Sequence, residues 1–275
     1  MAFNPNTIWL SHSSLNDFEK CHKLYYLRNL YRDKLKGNRF RIQIANPYFS
    51  LGEAVHDAID RFVTRYPTSE RDKDKLFYEF KRSWQLRAGR RGGFKDSAQE
   101  EYFKQRGEAM LERFYKNSSF SKGQTLKVDF PKLPLVGEDE VVLVGNFDWL
   151  EKTSSGLHIL DFKTGTSEEE GSLQLPIYAL LATHVLKLPV EKVSYWYLDR
   201  DDKPKEVPLG DLDSVLAQLK QKAQEVATVI AKQDFTDKAR PCTTDCEAYQ
   251  AVVDGKGEYL FTDFNRKREV FYPNV

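Results

Sequence analysis

The sequence predicts an α/β (α+β) domain: a mixed, mostly antiparallel sheet flanked by helices, with a helical lobe inserted ahead of it. Three observations predict it. Helical patterns fill the first 120 residues, β-type runs cluster between about 141 and 163, and helix and strand patterns alternate after that. The chain has no internal repeat and no Gly/Ser-rich or Pro-rich linker. It therefore reads as one domain over 1–275, with residues 57–120 a helical lobe and 233–275 a loop-rich C-terminal segment.

Residues 13–31 open with a Ser/Asn/Asp capping cluster and carry Leu15, Phe18, Tyr25 and Leu27 at helical spacing. Residues 51–65 place Val55, Ile59, Phe62 and Val63 on one helical face, and His56 shares that face. Two further helical patterns, about 70–88 and 96–116, flank the loop AGRRGGFKD. A strand is expected at about 124–130, then a nearly continuous β-type run at 141–150 and another at 156–163. A helix over 172–187, a strand over 193–198 and a helix over 211–232 complete the pattern.

Composition narrows the class. At 275 residues the chain can bury roughly 75% of its unfolded surface without staples. Hydrophobic residues at 40% and charged residues at 30% are those of a soluble globular protein, and no run is long and apolar enough for a membrane span. The start, MAFNPNTIWLSHSS, is not patterned as a secretory signal. Three cysteines, an odd number, argue against a disulfide scaffold and fit a reducing, cytoplasmic setting. With a net charge of +1, any nucleic-acid binding must rest on local basic patches.

The chemistry lies in the runs VVLVGNFDWL and GLHILDFK. If they form a hairpin, a loop centred on Thr153–Gly156 sets Asp148 opposite Asp161, whereas a Ser155-Gly156 turn sets it opposite Lys163. Either register keeps all three side chains on one face. Cross-strand partners have Cβ atoms roughly 4.5–5.5 Å apart, and like charges that close repel. Val142, Val144, Leu157 and Ile159 make the surroundings partly dry, so two carboxylates there need a cation. Oxygen ligands beside a lysine favour Mg²⁺ or Mn²⁺ over zinc. On Asp-x-Lys alone, a salt bridge on a solvated sheet face explains the pattern better. Gln174 and Tyr178, one helical turn apart just after the second strand, could reach back toward a phosphate or Lys163. By themselves they read as a surface residue and a core residue. His56 reads as a hydrogen-bonded core histidine or as a further metal ligand.

The loop RAGRRGGFK suits nucleic acid: Arg87, Arg90 and Arg91 match phosphates, and an exposed Phe94 would stack on a base. A solvated connection between helices explains the same composition. Residues 34–43, KLKGNRFRIQ, are a second basic candidate.

Taken together, SHSSLNDFEKCHKLYYL, LGEAVHDAI, VLVGNFDWLE, HILDFKTG and LQLPIYAL stand in an order that resembles the PD-(D/E)XK nuclease superfamily. The closer resemblance is to its RecB-like exonuclease branch, related to CRISPR adaptation-module nucleases. It implies a restriction-endonuclease-like core and a Mg²⁺- or Mn²⁺-dependent deoxyribonuclease, acting on single-stranded or frayed DNA in repair. It also implies that Asp148 and Asp161 hold the metal with the Phe162 carbonyl and His56. Lys163 would orient the attacking water, and Gln174 and Tyr178 would position the strand or the lysine. A helicase, CRISPR or recombination protein is the implied partner class, because the chain has no Gly-x-x-x-x-Gly-Lys-Ser/Thr loop of its own. The alternative is a catalytically silent or partner-dependent nucleic-acid-binding subunit. Relatives often carry four cysteines around an iron–sulfur cluster. Cys21, Cys242 and Cys246 are three, so a cluster is not expected here and the three are read as a degenerate ligand set. Asp129 is the expected acidic residue of the first sheet strand.

Overall fold

A computed structural model describes residues 6–32, 39–167, 171–236, 242 and 244–273. Contacts divide the chain into two compact units, residues 1–46, 134–143 and 217–275, and residues 47–133 and 144–216. Each is assembled from separated segments, so no linker composition marks the division.

The second unit begins with helix α3 (Pro47–Arg65), following β1 (Ile8–Leu10), α1 (His12–Lys20), α2 (His22–Tyr25) and β2 (Arg41–Ile44) of the first. Helices α4 (Lys73–Gln85), α5 (Ser97–Lys116) and the short α6 (Ser118–Ser121) follow. Asp72 and Asp96 cap α4 and α5 by accepting the backbone N–H three residues on. Strands β3 (Lys132–Val136) and β4 (Val141–Val144) lead into β5 (Trp149–Lys152), β6 (Leu157–Lys163), α7 (Gln174–Leu186), β7 (Val190–Tyr197) and β8 (Lys205–Val207). Helix α8 (Leu212–Lys232), α9 (Thr244–Val253), β9 (Gly257–Asp263) and β10 (Arg268–Pro273) close the chain.

The sheet that matters for chemistry has the order β5-β6-β7-β8. β6 is antiparallel to β5 and parallel to β7, and β8 is antiparallel to β7. The parallel pair needs a crossover, and α7 supplies it. β6 is buried along nearly its whole length because both faces are covered. Leu160, Phe162 and Trp196 pack into a core with the helices α3, α4 and α5. Ile159, Val193 and Tyr195 pack into a second core with Leu175, Ala179 and Ala182 of α7. Side chains alternate along a strand, so Asp161 and Lys163 share the Ile159 face, the one turned to α7.

Several sequence expectations need correction. The run 141–150 is two strands, interrupted at Gly145. Helix α7 lies so close there that an added Cβ would sit 3.0 Å from Leu181 and 3.1 Å from Tyr178. The strand expected at 124–130 is not formed. Residues 123–128 run without regular structure, with Leu126 N–H donating to the Leu150 carbonyl at 2.6 Å, and the strand lies later, at Lys132–Val136. The helix expected over 13–31 breaks at Cys21, which is extended (φ −170°, ψ 127°).

In the first unit, the segment expected to be loop-rich holds a helix and two strands. β10 pairs antiparallel with β9 and parallel with β2, and Cys246, Tyr249 and Val252 of α9 pack with Leu24, Leu27 and Ile42. Among the described residues no helix is long and apolar enough to cross a membrane.

The three-helix packing of the second unit leaves no room at Gly107 of α5, where a Cβ would lie 2.6 Å from the Phe80 ring and 3.1 Å from Leu51. Gly107→Ala is expected to destabilise by about 1–3 kcal/mol. Urea unfolding checks this, with the midpoint falling and the slope unchanged.

Candidate active site

Strand register brings the carboxylates together. β5 and β6 pair Trp149 with Leu160, Leu150 with Ile159 and Lys152 with Leu157, around a Thr153–Gly156 loop closed by Thr153 N–H on the Gly156 carbonyl at 3.0 Å. One step further along this register Asp148 faces Asp161. This is the first of the two hairpin alternatives. Asp148 Oδ2 accepts the Phe162 N–H at 3.0 Å, so the carboxylate is fastened across to β6.

Helix α3 supplies His56. Its Nδ1 lies 2.7 Å from the Gly52 carbonyl, an acceptor, so Nδ1 carries the proton and donates it there. Nε2 is then aimed at two more acceptors, Asp148 Oδ2 and the Phe162 carbonyl, each at 3.0 Å. A side chain at Gly52 would crowd this approach, because a Cβ would meet Thr164 Oγ1 at 3.2 Å.

Helix α7 supplies a single amide that ties the other three groups. Gln174 Nε2 donates to Asp161 Oδ1 at 2.8 Å and to Tyr178 Oη at 3.1 Å, while Gln174 Oε1 accepts from Lys163 Nζ. Lys163 Nζ also sits 3.2 Å from Asp161 Oδ2 and 5.0 Å from the centroid of the Tyr195 ring. Tyr195 was not singled out in the sequence. Its only signal was its place in an aromatic strand, where it pairs with Asp161 in the β6–β7 register.

The electrostatics follow from burial and proximity. Burial and then the Asp148 charge push Asp161 up to about 7, against the pull of Lys163 and His56. Burial would raise Asp148 too, but the His56 charge and hydrogen bonds from His56 and Phe162 hold it below the usual carboxylate range. For His56, burial works toward the neutral form, yet the Asp148 charge and hydrogen bond outweigh it and raise the ring to about 10. Burial, with the two carboxylates adding to it, raises the Tyr178 phenol well above its ordinary value, so it stays neutral.

Two acceptors and the Nε2 edge of an imidazole therefore converge on one point, where a cation is needed. The donors fit a hard divalent ion. Mg²⁺–ligand bonds of about 2.1 Å at right angles put neighbouring ligand atoms about 3.0 Å apart. His56 Nε2 lies at that separation from both Asp148 Oδ2 and the Phe162 oxygen. The His56 side chain keeps 32% of its surface exposed, so the point is reachable from a cleft that Leu126, Phe147 and Asp148 also line.

Not every expected site residue joins this group. Phe94 is 2% exposed and stacks on Trp84 in the helical core, with ring centroids 5.5 Å apart. An apolar ring of that size gains more from burial than an open loop allows, so it cannot stack on a base. Arg87 is buried as well. Its guanidinium pairs with Glu53 at 3.2 Å and Asp57 at 2.9 Å and donates to the Ser83 carbonyl at 2.7 Å, which leaves nothing for phosphate. Arg90 and Arg91 remain on the surface. Asp129 is exposed in a bend that precedes β3 and is not part of a strand. Of the basic candidate 34–43, residues 34–38 lie outside the described residues.

In the first unit, Cys21 Sγ lies 3.9 Å from the Sγ atoms of both Cys242 and Cys246, and all three fall within 4.8 Å of one another. Burial first, then the neighbouring thiols, hold Cys246 protonated well above the usual thiol range. The three thiols are one short of the four thiolates that iron–sulfur clusters normally take.

The mixed sheet, its facing carboxylates and the lysine beside them define a class, the metal-dependent phosphodiester hydrolases. The chain belongs to the PD-(D/E)XK nuclease superfamily, whose family model matches residues 9–251. It is accordingly a nuclease. No curated protein matches the sequence.

The Gln174 bridge can be tested by its charge. Gln174→Glu sets another carboxylate against Asp161, which raises the folded-state pKa of the pair above the unfolded value. Its penalty is therefore largest at high pH and shrinks as pH falls and a proton is taken up. In chelator, Gln174→Glu should be about 1–3 kcal/mol less stable than wild type at pH 8 and closer to it at pH 5.5. Urea midpoints at the two pH values check this.

Proposed function

We propose that this protein is a Mg²⁺- or Mn²⁺-dependent deoxyribonuclease of the RecB-like kind, acting as an exonuclease on single-stranded or frayed DNA. The observation that carries the reading is His56 Nε2 lying 3.0 Å from both Asp148 Oδ2 and the Phe162 carbonyl, beside the Asp161–Lys163 pair. Asp148, Asp161, His56 and the Phe162 carbonyl would hold the ion. When bound, it polarises a phosphate oxygen and lowers the pKa of an attacking water.

The chain's own groups have distinct parts in this reading. The Gly52 carbonyl fixes the His56 tautomer so that Nε2 faces the ion. Lys163 keeps a positive charge where negative charge builds up on the phosphate, and it can hold the attacking water by hydrogen bonds. Gln174 sets the position of both the Lys163 ammonium and the Asp161 carboxylate, and Tyr178 steadies the amide. Arg90 and Arg91 are exposed guanidinium groups whose shape and charge match phosphates.

Cleavage of end-labelled single- and double-stranded DNA, with Mg²⁺, Mn²⁺ or chelator, tests the proposal. Wild type should cut only with metal. Asp161→Ala and Lys163→Ala should each lose activity by at least about 10²–10³-fold while keeping the wild-type circular dichroism. A ladder shortening from one end gives the polarity. A well-folded wild type that cuts nothing with either ion would move the assignment to a binding subunit or one that needs a partner.

Metal binding has a second readout that is independent of turnover. Mg²⁺ at about 100 times its dissociation constant should stabilise wild type by about 2.7 kcal/mol. Asp148→Asn should remove most of the corresponding rise in melting temperature, as differential scanning fluorimetry would record.

A further inference from the structure

Three aromatic rings stand exposed on one part of the second unit. Tyr48 and Phe49 lie in the first turn of α3, with 65% and 49% of their surfaces exposed, and Tyr102 of α5 is 59% exposed. Large apolar rings gathered on a surface generally mark a contact with something else. Beneath them lies a stack of buried rings. Phe103 meets Tyr48 edge-on with centroids 5.1 Å apart, meets Tyr102 at 5.5 Å and Phe94 at 6.0 Å, and Phe94 rests on Trp84. Tyr48 and Tyr102 are thus braced from below by Phe103, so that using them orders little that is not already ordered.

Their place relative to the His56–Asp148 pair is set by α3. Phe49 and His56 are seven residues apart on one helix, which puts them on nearly the same face about 10 Å apart along it. Gly52, between them on that stripe, is where α3 comes against Thr164 at the end of β6. Positive charge lies alongside. Ser50 Oγ donates to the Gly92 carbonyl at 3.0 Å, which fastens the start of α3 to the turn carrying the exposed Arg90 and Arg91.

We propose that Phe49, Tyr48 and Tyr102 form a stacking platform for unpaired bases of single-stranded DNA, a few nucleotides from the phosphate held at the metal cluster. Bases in a duplex keep their faces covered, whereas a single strand offers every base as a π-surface, and its phosphates match the two arginines. This assignment rests on the nuclease reading for its substrate and adds the surface that would make it selective for unpaired strands.

The test separates the platform from the catalytic centre. Binding of a fluorescein-labelled twenty-nucleotide oligothymidylate and of a matching duplex is followed by anisotropy in chelator, where no cutting occurs. Hydrolysis of bis(p-nitrophenyl) phosphate with Mn²⁺, an activated diester with no strand attached, is followed in parallel. Phe49→Ala should weaken oligothymidylate binding by about 5- to 100-fold. Tyr48→Ala/Tyr102→Ala should weaken it similarly, with duplex binding and diester hydrolysis within two-fold of wild type. Phe49→Trp should restore tight binding, and the salt dependence should not change because no phosphate contact is removed.

Oligothymidylate affinity within two-fold of wild type in all these variants would overturn the platform. So would an equal loss for duplex, or a loss of self-association in light scattering with oligonucleotide affinity intact, which would assign the rings to a second copy of the chain. Failure of wild type to hydrolyse both the diester and DNA would sink the nuclease reading instead, and the binding measurements would still decide the platform.

Discussion

The pairing of β5 with β6 is the constraint on which the rest of the site depends. It places Asp148 across from Asp161 between two covered sheet faces, where two negative charges cannot stand alone. Every neighbouring group can be understood as an answer to that charge. His56 brings a proton or gives way to an ion, Lys163 brings an ammonium, and Phe162 and Gln174 bring N–H donors. Moving β5 by one residue would turn Asp148 to the opposite face, away from His56 and the Phe162 N–H.

The helices act on this pairing from its two sides. On one, α3 leans close enough at Gly52 to deliver an imidazole to the end of β6, and it is held by the aromatic core it shares with α4 and α5. On the other, α7 crosses from β6 to β7 and presses against Gly145, which ends β4 and lets the chain turn before Asp148. The imidazole that meets Asp148 and the amide that holds Lys163 thus come from opposite layers, His56 from α3 and Gln174 from α7. A site built between rigid layers keeps its geometry better than one carried on loops.

Much of this was legible in advance because the site residues sit on elements with strong local periodicity. Asp161 and Lys163 alternate within a buried strand, and Gln174 and Tyr178 are one turn apart on a helix, so their common faces follow from spacing. The Thr-Ser-Ser-Gly segment left two registers, and only the hydrogen-bonded loop closure chose between them. The lobe was misread where composition had to stand in for packing. Arg87 and Phe94 belong to an arginine- and glycine-rich stretch that looks solvated, but one is clamped by Glu53 and Asp57 and the other is sealed against Trp84. Both partners lie far away in sequence or on another turn, where no local pattern points to them.

The sequence by itself determined the class of fold, the β-hairpin that carries Asp148, Asp161 and Lys163, and the kinds of side chain a metal site there would need. Those are local properties, set by alternation, helical spacing and the donor chemistry of a few residues. Tertiary structure alone decided which of the two hairpin registers is used and that His56 reaches the Phe162 carbonyl. It also decided that the three cysteines meet and that Phe94 is buried while Tyr48, Phe49 and Tyr102 are among the exposed rings. Burial depends on how distant segments pack against each other, and a single chain read locally carries no record of that distance.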